Sequence, residues 1–179
     1  PMGRTVADAA LLLSAMIGDD PRDPFGSGID PELAEPLQPA DLASLRVAIS
    51  EDLGVSPLDN DIRECFRRKI DPIRHIFSDA QDHDPPFDDD LHRAFEVLRC
   101  VNYLSAHGEK VENHRDLLTP NVVANVDMAS NFTMTDVAWA HAKQTSLYKG
   151  YIEMFNEAEL LLSPAAAVSP FPHAQWYPE

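Results

Sequence analysis

Two short apolar runs, separated by over a hundred residues of mostly helical pattern, limit what this chain can fold into. Leu45 to Ser50 (LRVAIS) alternates: Leu45, Val47 and Ile49 fall on one side and Arg46, Ala48 and Ser50 on the other. That is the period of a strand. Leu160 to Ser163 reads as a second short strand, stopped by Pro164. Strands so far apart in sequence pair only across a crossover, which favours a parallel arrangement. Two strands do not hold a sheet alone, so their partners are expected to lie outside the chain.

Helices fill the rest. Thr5 to Met16 opens with a T-x-x-D capping box, Thr5 with Asp8, and is apolar nearly all round, the pattern of a buried helix. Pro21, Pro24, Pro31, Pro36 and Pro39 then punctuate an extended connection. Ile62, Phe66, Ile70, Ile73 and Phe77 mark a helix from about Asp59 to Asp79, which Pro72 should kink or break. Asp79 to Asp90 reads as a solvated acidic loop that caps a helix over Leu91 to Ala106. Short helical pieces broken at Pro120 follow. A second T-x-x-D cap, Thr133 with Asp136, starts a helix running to about Asn156. The layout is a single partial domain, α/β and helix-rich: helix 1–18, Pro-rich connection 19–44, strand, helical middle and strand 45–164, and an extended Pro-rich loop 165–179.

Composition excludes several functions. Fourteen Lys and Arg against 30 Asp and Glu give a net charge of −16, wrong for nucleic acid or an anionic membrane surface. No apolar run approaches the ~18 residues of a membrane span. The opening lacks a signal-peptide pattern, so the cytoplasm is the expected location. A chain opening on Pro1 inside a patterned segment reads as a piece of a longer one. Gly is 7 of 179, below the usual ~7%, and no Gly-rich phosphate loop occurs. Cys65 and Cys100 read as buried, reduced thiols. His75, His83, His92, His107, His114, His141 and His173 form no metal-binding spacing, so neither metal nor cofactor is expected.

Nor does the sequence carry a nucleophilic centre of its own. G-x-S-x-G is absent. A lysine base needs desolvation. Lys69, Lys143 and Lys149 fall on polar helix faces and Lys110 in a charged loop. No catalytic residue is assigned.

The opening PMGRTVADAALLLSAMIGDDPRDP resembles a segment of the amidase signature family, hydrolases of carboxylic amides. Pro1, Met2, Arg4, Thr5, Val6, Asp8, Ala10, Leu12 and Leu13 match its G-P-M-x-R-[ST]-V-x-D-x-A-x-L-L run. LRVAISEDLG resembles the family's strand after the linker. AELLLSPAAAVSPFP resembles its D-x-L-L-x-P strand and loop, with Glu159 where Asp is common. The resemblance implies a fragment of that fold, lying after the Ser/Gly-rich signature. The family's lysine and two serines have no match here, so the piece alone is expected to be inactive. It further implies that Ala165, Ala166, Val168 and Phe171 line an acyl pocket, where plain packing is the simpler reading, and that Arg4 and Asp8 support the catalytic loop, where an Arg4–Asp8 ion pair is the simpler reading. The substrate would be a small-molecule amide of the full-length parent.

Two other readings start from the residues alone. The first is a non-catalytic, acidic, helical interaction domain whose amphipathic helices leave apolar faces uncovered, whereas homo-oligomers formed through such faces would mark a cut fragment. The second is metal buffering by Asp79 to Asp90, although a calcium loop's spacing and closing Glu are missing.

Overall fold

The computed structural model describes residues 1–18, 20–22 and 38–175. The chain divides into two units, Pro1–Asp41 and Leu42–Glu179. Helix α1, Val6–Met16, belongs to the first. Its capping box forms as the sequence predicts: Asp8 N–H donates to Thr5 Oγ1 at 3.1 Å, and Thr5 N–H donates to Asp8 Oδ2 at 3.2 Å. Gly3 tucks against this first turn, where a Cβ would lie 2.6 Å from the Ala9 nitrogen. No residue of α1 is buried, and Val6, Leu11 and Met16 are largely exposed. The expectation of a buried helix is not met within its own unit, because an apolar stripe needs a covering surface. Most of the Pro-rich connection, Pro24, Pro31 and Pro36 included, lies outside the described residues.

The second unit is built on a three-stranded parallel sheet in the order β2-β1-β3. Strand β1 is Arg46–Ile49, β2 is Asp79–Asp82 and β3 is Leu160–Leu162. Both predicted strands are present, and they pair in parallel, Val47 opposite Leu160 and Ile49 opposite Leu162. The correction is β2. Residues read as an acidic loop pair with β1 over Arg46–Asp79 to Ile49–Asp82, so one partner lies within the chain. Nothing in Asp-Ala-Gln-Asp announces a strand; β1 offers an unpaired edge, and backbone pairing outweighs poor propensity. Val47, Ala48, Ile49 and Ser50 are all buried, because the central strand of a parallel sheet is covered on both faces. Glu159 anchors β3: its carboxylate accepts the Arg46 N–H at 2.6 Å and Nε at 3.0 Å.

Helix α2, Asn60–Ile70, ends as a 3-10 turn over Asp71–Ile76, with Pro72 in its first turn. Helix α3, Asp90–His114, runs a further two turns past the predicted Ala106 and carries Gly108. Buried Val111 holds this extension against the cost of the glycine. His107, Lys110 and His114 therefore sit on a helix, not in or beside a loop. Helix α4, Pro120–Ala129, starts on its proline, and α5, Met134–Met154, starts on the predicted Thr133–Asp136 box. The core lies in two clusters. Ala48, Met154 and Ala158 join the sheet to the end of α5. Ala94, Val97 and Ala140 join α3 to α5. Cys100 is buried, but Cys65 is exposed, since α2 buries no residue at all. Among the described residues no helix is long and apolar enough to cross a membrane.

Candidate functional site at the carboxyl edge of the sheet

Parallel strands end on one edge, and in open α/β sheets that edge is where ligands lie. Here it carries the turns after Ser50, His83 and Leu162. The sheet pins their first residues: Ser50 N–H donates to Leu162 O and His83 N–H to Ile49 O, both at 3.0 Å. Ser50 is 1% exposed. Its hydroxyl donates to Asp84 Oδ1 at 2.6 Å and accepts the Leu53 N–H at 2.8 Å. The β1 turn then passes through two left-handed residues, Leu53 at φ 57° and Gly54 at φ 75°. Glycine suits the second by its conformation and by space, since a Cβ there would stand 3.3 Å from the Asp84 Cβ. His92 Nε2 bonds Val55 O at 2.9 Å and ties the turn to α3.

A cavity of 500 Å³ opens beside these turns, with Glu51, Asp52, Arg63, Arg67, Arg74 and Asp82 in its wall. Its cations are already engaged. Arg63 bonds Glu51 Oε2 at 2.5 Å and Asp52 Oδ2 at 3.1 Å. Arg67 grips both Glu51 oxygens, and Arg74 pairs with Asp71 and Asp82. The Arg67 guanidinium, with Arg63 beside it, holds the Glu51 carboxyl below the usual glutamate range. With its arginines paired, this cavity is a clasp fastening α2 to the β1 turn, not a vacant anion site.

The loop after β3 follows the same edge. Asp59 N–H donates to Ala167 O at 2.9 Å, which moors it to the start of α2. Ala165, Ala166 and Phe171 are exposed and Val168 is half-buried, so one loop carries all four predicted pocket residues. None of the four lines the cavity walled by Glu51, Arg63 and Arg74. Arg4 and Asp8 stand at the start of α1 in the other unit. The Asp8 carboxylate serves the capping box, and no ion pair joins it to Arg4. Sequence reasoning missed Ser50–Asp84 and the Glu51 clasp; the one legible signal was Arg63 and Arg67, four apart on a helix.

Lys143 also departs from its predicted solvated face. Its side chain is only 18% exposed and pairs with Asp88 and Asp90. Those carboxylates raise its pKa and keep it charged, opposite to what a lysine base needs. Among the described residues no serine hydroxyl bonds a lysine, and no group of three or more His, Cys, Asp or Glu is placed to hold a metal.

A family model described as Amidase matches residues 1–179, the whole chain. The chain belongs to the amidase family. An amidase from Pseudomonas putida is 24% identical over 94% of this chain and 36% of its own length. An acylamidase from Rhodococcus erythropolis is 24% identical over 99% of this chain and 38% of its own. The chain thus spans little more than a third of these two relatives. The crystal structure of a bacterial aryl acylamidase of the amidase signature family superimposes with a TM-score of 0.73. It covers 96% of this chain and 37% of its own at 16% identity, which establishes the shared fold. The part of the fold that this chain shares with that structure is a small parallel sheet, the turns at its carboxyl edge and a helical layer.

Proposed function

We propose that the chain is the part of an amide hydrolase that follows its Ser/Gly-rich catalytic region. The parent cleaves carboxylic amide C–N bonds through an acyl-enzyme. A serine attacks the carbonyl, the amine leaves, and water then releases the acid. The observation that carries this reading is the family match over all 179 residues. Relatives described as amidase and acylamidase support it. On this reading the catalytic lysine and both serines belong to other parts of the parent. The segment contributes the loop of Ala165, Ala166, Val168 and Phe171 to the acyl pocket. Arg4 and Asp8 steady the catalytic loop from α1. The substrate is a small-molecule amide in the cytoplasm. Nucleic acid and membrane are not partners, and the apolar faces left open in the isolated piece pair copies with one another.

The test has two steps. Sequencing the gene upstream of the Pro1 codon is expected to give an open frame encoding a lysine and then a Gly/Ser-rich segment. The 179-residue chain and the complete product are then assayed on an anilide such as 4-nitroacetanilide. Turnover is expected from the complete product alone. Robust turnover by the 179-residue chain would refute the assignment of the nucleophile to other parts.

A further inference from the structure

Helices α3 and α5 share a groove of 490 Å³. Leu91, Phe95 and Leu98 of α3 and Leu147 of α5 make it apolar, and Phe95 is 61% exposed there. Arg99 lines it as well, and this arginine differs from most in the chain. Seven described arginines are paired with carboxylates: Arg22, Arg46, Arg63, Arg67, Arg74, Arg93 and Arg115. Among the described residues Arg99 forms no ion pair, although the chain carries 30 acidic residues. Its Nε is buried and has no hydrogen-bond partner. Glu96, three residues earlier on the same helix, forms no ion pair with it. The adjoining Cys100 thiol is a side-chain partner of Arg99, but burial pushes its pKa up, so it is a weak neutral partner and supplies no compensating charge. Phe95 steers the guanidinium, whose carbon lies 5.3 Å from the ring centroid.

A buried, unbonded donor costs free energy until an acceptor reaches it. A guanidinium fork fits a carboxylate through two parallel hydrogen bonds, and such a pair strengthens where water is partly excluded. The apolar walls suit a hydrocarbon body. We propose that this groove binds a small monocarboxylic acid with an apolar body, its carboxylate on Arg99 and its body along Phe95, Leu98 and Leu147. The proposal stands on the groove alone and does not depend on the amide-hydrolase reading.

The test uses the complete gene product that carries this chain, with 4-phenylbutyrate as probe and 4-phenylbutanol as its neutral counterpart. The acid is expected to raise Tm by about 2 °C or more at saturation, and the alcohol by clearly less. Arg99→Gln should weaken acid binding about tenfold or more, and Arg99→Lys should keep part of it. Where a variant does not fold, the Arg99 Nε resonance of the unaltered protein is followed by NMR, and it should move with the acid and not the alcohol. Equal responses to acid and alcohol, an undiminished response in Arg99→Gln, or no response at all would each overturn the proposal. The last is what a groove covered by another stretch of polypeptide would give.

Discussion

Ser50 shows how much one small residue can hold. Buried at the end of β1, its hydroxyl spans Asp84 on one turn and the Leu53 N–H on its own. Alanine there would take a partner from the part-buried Leu53 N–H and from the Asp84 carboxylate and break the link between the two turns. Ser50→Ala is expected to cost about 1–3 kcal/mol, read from the urea midpoint of the chain. Glu51 makes a pH-dependent contribution. Arg67 and Arg63 lower its pKa from the ordinary 4.5, so its stabilisation is present above that value. It is lost as pH falls through the lowered value. Glu51→Gln should therefore lose about 1 kcal/mol at neutral pH. The gap to the unaltered chain should close below pH 4.5, as an acid-unfolding series would record. A pH-independent gap would mean the clasp acts through packing alone. Neither residue stood out in the sequence, because each partner comes from a different turn or helix.

At the scale of elements, capping chemistry was the most legible signal. Both T-x-x-D boxes form, since they depend on residues three apart and on nothing distant. The boxes differ in what they support. Helix α5 carries buried Ala140 and Met154, whereas α1 buries nothing. Thr133→Ala is accordingly expected to lower global stability by about 1 kcal/mol and to shift the whole melting curve. Hydrogen exchange confined to the first turn of α5, with an unchanged melting temperature, would contradict this. The strands divide the same way. Strands β1 and β3 announce themselves by apolar content, and β2 does not, because its reason for existing is the open edge of β1. The end of α3 lies beyond the expected Ala106 because buried Val111 offsets the helix cost of Gly108.

For the whole molecule, the exposed apolar residues matter most. Val6, Leu11 and Met16 on α1 and Phe95 on α3 are each more than half exposed in a chain that spans little more than a third of its amidase relatives. Large uncovered apolar surface in water drives association. Light scattering on a concentration series of the 179-residue chain is expected to show self-association, and a monodisperse monomer at all concentrations would argue that these faces need no cover. The family was legible from the opening run and the strand that begins after Glu159, because both are local motifs. Of the carboxyl edge, only the Pro-rich stretch after the second strand was legible, and where it lies depends on the sheet. By itself the sequence determined the helix starts, the two apolar strands, their parallel pairing and the net charge of −16. Each follows from neighbours in the chain, from crossover topology or from composition. Only the tertiary structure decided that four polar residues form β2, that Ser50 joins two turns, and that Lys143 and Glu51 are clasped while Arg99 is not. Those outcomes rest on which edges, charges and donors are left unsatisfied once distant segments meet, and no local pattern encodes that.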